Sequence, residues 1–130
     1  MKVNSYRDLT VWQLAMKLTE DVYRITGTFP NKETYALASQ LQRAAVSIPS
    51  NLAEGHARSS TKDYLRFISI AMGSLAELET QVELSARLLY IDQQKLAELL
   101  TTADEVGRML QGLRRSLQSK LTPQPLAPNS

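Results

Sequence analysis

The chain has 130 residues, 43% hydrophobic and 22% charged, which excludes a disordered chain and fits one domain. Fifteen basic and thirteen acidic residues leave a formal charge of +2, too little to demand or exclude an acidic partner. The absence of cysteine excludes disulfides and thiolate metal sites, and no run approaches the roughly 18 apolar residues of a membrane span. No signal-peptide core stands in MKVNSYRDLT, so the expected location is the cytoplasm, with no membrane partner. Aromatics are 6% of the chain, while Ala, Leu, Gln, Glu and Arg abound, which favours helix over strand.

The first predicted helix spans about 7–26, opened by a Ser5-x-x-Asp8 capping box and closed by Gly27 in the left-handed conformation. Val11, Ala15, Leu18, Val22 and Ile25 form its core face, and Trp12, Met16 and Tyr23 a second apolar stripe. Thr28-Phe29-Pro30-Asn31 reads as a turn. A second helix follows over about 32–57, with Leu37, Leu41, Ala44, Ala45, Ile48 and Leu52 facing the core and a kink expected at Pro49.

Ser60-x-x-Asp63 is a capping box for a third helix over about 61–90. Its seam is Tyr64, Ile68, Ala71, Leu75, Leu78, Val82, Ser85 and Leu89. Asp92 caps a fourth helix, whose Leu96, Leu99, Ala103, Val106, Leu110, Leu113 and Leu117 continue to about 120. Short connections imply antiparallel neighbours, hence an all-α, up-down-up-down four-helix bundle over 1–120. Residues 121–130 read as a disordered Pro-rich tail.

No residue set builds an active site. A di-metal carboxylate bundle needs two Glu-x-x-His pairs, but His56 is the single histidine and lies two residues after Glu54. Glu77 and Glu79 are roughly 200° apart around a helix, so one site cannot use both. A helical-bundle ribonuclease pairing an arginine closely with a histidine does not fit either, since Arg43 stands well upstream of His56. No metal and no cofactor is expected.

Three surface features carry more information. Arg43, Ser47, Ser50, Asn51 and Glu54 share one arc of the second helix, mostly short hydrogen-bonding groups, which fits a solvated face or a polar seam between helices or subunits. A second stripe on the third helix runs Phe67, Ile70, Ser74, Glu77, Gln81, Leu84 and Leu88. With Trp12, Met16 and Tyr23 it offers more apolar surface than one bundle needs, so Trp12, Met16, Tyr23, Phe67 and Ile70 are candidate oligomer contacts. Arg58, Lys62 and Arg66 cluster near the second turn, and Arg114 and Arg115 near the end of the fourth helix. Either group fits phosphate contacts, while the latter also fits compensation of a helix dipole.

Leu9-Thr-Val-Trp12, Phe29-Pro30, the block from Gln40 through Glu54-Gly55, and Phe67 to Ala71 followed by Gly73-Ser-Leu-x-Glu-Leu-Glu79 resemble the family of 23S ribosomal RNA intervening-sequence proteins. The resemblance spans roughly residues 6–117. It implies a four-helix bundle that assembles into a homopentameric ring, distantly similar to retroelement accessory proteins that contact nucleic acid and a reverse transcriptase. It implies no established activity. Arg43, Ser47, Asn51, Glu54 and Glu77 match its signature positions, which favours a structural polar seam.

The sequence therefore reads as a non-enzymatic homo-oligomer, pentamer favoured, that binds RNA, DNA or a ribonucleoprotein through Arg58, Lys62, Arg66, Arg114 and Arg115. The alternative is a protein-interaction scaffold that binds no nucleic acid, its protein partner unspecified.

Overall fold

The capping box at Ser5 does not open the first helix. In the computed structural model, which describes residues 5–121, the Ser5 hydroxyl accepts the Arg7 amide at 3.1 Å and caps a short 3-10 turn, Tyr6–Asp8. Leu9 is extended, and helix α1 spans Thr10–Thr26. The turn folds back on α1 because the Tyr6 and Trp12 rings meet edge-on at 5.2 Å and Gln13 donates to the Arg7 carbonyl at 2.9 Å.

Gly27 is right-handed (φ −62°), so the left-handed cap expected there does not form. The last carbonyls are satisfied otherwise: the Gly27 amide reaches Tyr23 O at 3.2 Å and the Thr28 hydroxyl reaches Ile25 O at 2.7 Å.

Helix α2, Leu37–His56, starts later than its periodicity predicts, because a 3-10 turn, Asn31–Glu33, comes first. Glu33 sets this boundary. Its carboxylate accepts the Leu37 amide at 3.3 Å and the Tyr90 hydroxyl at 2.7 Å, tying the start of α2 to a loop far along the chain. Helix α2 runs unbroken through the buried Pro49.

Helix α3, Thr61–Arg87, begins where Ser60 accepts the Asp63 amide at 3.1 Å. It ends short of the expected residue 90. Leu89 adopts φ 64°, the Leu89 amide bonds Ala86 O and the Tyr90 amide bonds Ser85 O at 2.9 Å, so the chain leaves the helix through a left-handed residue that is not glycine. Leu89 is 88% exposed and is not part of the seam. Helix α4, Gln93–Leu121, is capped by Asp92, which accepts the Lys95 amide at 2.8 Å. Leu121 thus ends α4, and the rest of the Pro-rich segment lies outside the described residues.

Each helix packs on two others: α1 on α2 and α4, and α3 on α2 and α4. Thr19 donates to Ala45 O at 3.1 Å and Gln42 to the Thr26 hydroxyl at 3.0 Å, so residue numbers fall along α1 as they rise along α2. Ser74 meets Ser47, while Phe67 meets Gly55, which sets the same opposed register between α2 and α3. Leu75 faces Gly107, and the Glu79 carboxyl feels the charge of Asp104, which does so for α3 and α4.

The core is the four apolar faces read from the periodicity, with Leu18, Leu41, Ile48, Leu52, Ile68, Leu78 and Leu110 fully buried. Truncating one of these leucines to alanine costs about 2–5 kcal/mol. No strand occurs among the described residues, and no helix is long and apolar enough to cross a membrane.

Candidate nucleic-acid interface

The opposed register brings the end of α2, the start of α3, the end of α4 and the turn before α1 to one pole of the bundle. That pole collects Arg7, Arg58, Lys62, Arg66, Arg114, Arg115 and Lys120 against Asp8, Glu54 and Asp63. The other pole carries Glu20, Asp21, Glu33, Glu83, Asp92 and Glu98 against Lys17, Arg24, Lys32, Arg87 and Lys95. A formal charge of +2 thus conceals a basic end and a nearly neutral one.

At the basic pole, Arg58 and Arg66 converge on one ring. Their guanidinium carbons stand 4.8 and 5.2 Å from the centroid of Phe67. Phe67 is buried against Gly55, whose missing side chain makes room for it. Arg58 also pairs with Glu54 at 3.1 Å, an exposed ion pair that holds little energy in water.

Lys62 stands one turn before Arg66 on the exposed face of α3. Arg114 and Arg115 lie across on α4: Arg114 is half-buried and donates to Gln111 at 2.8 Å, whereas Arg115 is exposed and lines the α3–α4 groove with Arg108. The five expected phosphate contacts therefore share a pole, but only Arg58 and Arg66 share a contact.

The polar stripe divides. Ser47 and Ser74 hydroxyls meet at 2.7 Å between α2 and α3, and Asn51 donates to the Ser47 carbonyl and hydroxyl at 2.7 and 2.9 Å. Arg43, Glu54 and Glu77 instead remain exposed on the single chain. The Ser47–Ser74 register puts Arg43 nearly level with Glu77, and neither makes an ion pair among the described residues.

The candidate oligomer contacts divide as well. Met16 and Tyr23 on α1, and Ile70 and Leu84 on α3 with Leu88 just after it, are each 37–48% exposed. Trp12 is half-buried and packs on the core, and Phe67 is buried within its own chain. Helices α1 and α3 are diagonal in the bundle, so the two exposed stripes face different directions.

A groove of about 930 Å³ between α1 and α4 is lined by Lys17, Asp21, Arg24, Asp92, Lys95 and Glu98. Its charges satisfy one another: Arg24 reaches Asp21 at 3.2 Å and Lys95 reaches Glu98 at 3.1 Å, leaving no net charge to select a ligand. The α3–α4 groove, about 710 Å³, holds Glu79, whose carboxyl is pushed above its ordinary range by burial and then by the charges of Asp104 and Glu83. Among the described residues no three His, Asp or Glu side chains are placed to hold a metal ion.

The model of the 23S rRNA-intervening sequence protein family matches residues 7–112. The chain belongs to that family. The fold is also similar to the crystal structure of a protein with unknown function from the S23 ribosomal protein family of Bacteroides thetaiotaomicron, with a TM-score of 0.73 and 19% identity over 81% of this chain and 98% of that one. No curated protein matches the chain.

Within this intervening-sequence protein, the convergence of Arg58 and Arg66 on Phe67 was not legible from spacing, because Phe67 belongs to an apolar stripe. The signal available was Glu54-Gly55 facing an aromatic residue one helix later. Ser74 stood in the second stripe of the third helix, but nothing in the spacing matched it with Ser47.

Proposed function

We propose that the protein is a non-enzymatic homo-oligomer that binds RNA or DNA, bare or within a ribonucleoprotein, through the basic pole. The observation that carries this reading is the segregation of cations at that pole, with Arg58, Lys62, Arg66, Arg114 and Arg115 as the phosphate contacts. A weak patch gains strength by repetition, because each added copy makes a further contact at high effective concentration.

Assembly is supported by the two exposed apolar stripes on diagonal helices. A patch on α1 of one copy against a different patch on α3 of the next is a head-to-tail contact, which closes into a ring when the rotation permits. The family resemblance favours five copies. In such a ring the unpaired Arg43 and Glu77 would find partners on the neighbouring subunit, completing the polar seam.

The family's description refers to 23S rRNA, which accords with an RNA partner and names no reaction. The exposed leucines of α3 favour a second reading, a scaffold for another protein. Native mass spectrometry at low salt reads subunit number and co-bound nucleic acid in one spectrum. An oligomer carrying RNA or DNA supports the proposal. A bare oligomer supports the scaffold, and a monomer overturns the assembly.

A further inference from the structure

We infer that Phe67 is the positioning residue of a two-arginine phosphate clamp at the corner between α2 and α3. The inference rests on the reading that the basic pole engages a nucleic-acid backbone, and it names the part of that pole that grips.

The corner is built from the backbone outward. At Gly55 the two helices come so close that a Cβ there would lie 2.8 Å from the Phe67 Cβ. The Phe67 Cβ is therefore held by main-chain packing, and the residue is only 8% exposed. Arg58 reaches this ring from the turn after α2, and Arg66 from the preceding residue of α3. Both guanidiniums lie about 5 Å from one centroid, so they stand within about 10 Å of each other.

A guanidinium resting on an aromatic ring uses its π face and keeps its in-plane N–H donors free, the donors that take phosphate oxygens in pairs. A free arginine must lose rotamer freedom to make such a contact, whereas one already held on a ring has lost part of it in advance. Arg66 makes no ion pair among the described residues, so all its donors are available. Arg58 gives one to Glu54 at 3.1 Å, and a phosphate must displace or share it. Glu54 thus restrains the clamp while Phe67 presents it.

The test uses pyrophosphate as probe and the side-chain Nε–Hε signals of Arg58 and Arg66 in the full chain as readout. The expected result is that both signals move with one apparent affinity. Phe67→Leu should weaken that affinity about tenfold, because two arginines that the ring no longer holds must be ordered on binding, with helicity and oligomeric state unchanged. Phe67→Tyr should preserve it and Glu54→Gln should tighten it. Should Phe67→Leu fold poorly, Arg58→Ala and Arg66→Ala serve instead, each weakening the response of the arginine that remains.

Signals that stay still, or that move independently and ignore Phe67→Leu, overturn the clamp. Labelled single-stranded RNA and DNA form the parallel arms. If pyrophosphate binds as described while neither nucleic acid does, the clamp stands and the nucleic-acid reading falls. If nucleic acid binds equally to wild type, Phe67→Leu and the arginine variants, that reading stands and the clamp is overturned.

Discussion

A β-carbon on Gly55 would lie 2.8 Å from the Phe67 Cβ and 2.9 Å from Cδ1 of Tyr64. The first of these atoms is fixed to the α3 backbone and cannot swing aside, so Gly55→Ala forces the two helices apart. Overpacking of this kind costs about 1–3 kcal/mol, against which alanine's better helix propensity returns just under about 1 kcal/mol. The variant should unfold at lower urea concentration than wild type. An unchanged midpoint would mean that α3 shifts without loss and that the close approach is not tightly held.

Leu89 carries the opposite opportunity. It holds φ 64° at the end of α3 while 88% exposed, so it bears left-handed strain without burying its side chain in return. The strain is worth roughly 1–2 kcal/mol, and glycine's extra freedom in the unfolded chain takes back about 0.4–1 kcal/mol. Leu89→Gly should therefore stabilise the protein by on the order of 0.5–1 kcal/mol in equilibrium urea unfolding. A loss of stability would show that the exposed leucine makes a contact in the assembled protein.

These two residues show where the sequence was readable. The four helices and their core faces followed from apolar spacing, because a buried stripe must recur at the helical period whatever the loops do. Ser60 and Asp92 were legible as caps since each acts on an amide three residues away. Ser5 and Gly27 misled because a 3-10 turn and a threonine hydroxyl satisfied the same groups by other means. Glu33 and Tyr90, far apart in sequence, decide where α2 begins, and no local pattern announces such a pair. At the basic pole the net charge was uninformative, since segregation arises only when opposed helices bring Arg66 and Arg115 to the same end.

Two carboxyls should shape the acid response with opposite signs. Glu33 lies below its ordinary value of 4.5, chiefly because it accepts the Tyr90 hydroxyl and then the Leu37 amide. Its contribution is present above 4.5 and is lost as pH falls through the lower folded value. Glu33→Gln should therefore reduce stability at neutral pH and match wild type in strong acid. Tyr90→Phe should make the acid limb of the wild-type curve shallower. Parallel curves for wild type and both variants would deny the linkage.

Glu79 is raised above the same ordinary value of 4.5, first by burial and then by Asp104 and Glu83. A raised carboxyl favours the fold in its protonated form, so its contribution is full below 4.5 and is lost as pH rises through the folded value. Glu79→Gln, neutral throughout, should raise the thermal midpoint at pH 7, and the gain should vanish about one pH unit below 4.5. A lower midpoint at pH 7 would indicate that the charged carboxylate makes a stabilising contact instead.

The assembly reading has a test that depends on the two stripes being different. Met16 and Tyr23 are exposed on α1, and Ile70 and Leu84 on α3, so replacing either pair by glutamate should change folding stability by no more than about 0.5 kcal/mol per site. In a head-to-tail ring each double variant has lost one of its two surfaces, and a solution of either alone should be monomeric by light scattering. Mixed in equal amounts, the intact α3 stripe of one should dock on the intact α1 stripe of the other. The pair should stop at a heterodimer, because the two outer surfaces are both blocked. Self-association through like surfaces gives a different pattern: one variant would still dimerise alone, the other would not, and mixing would add nothing. A mixture that stays monomeric, or one variant that dimerises unaided, would overturn the head-to-tail contact.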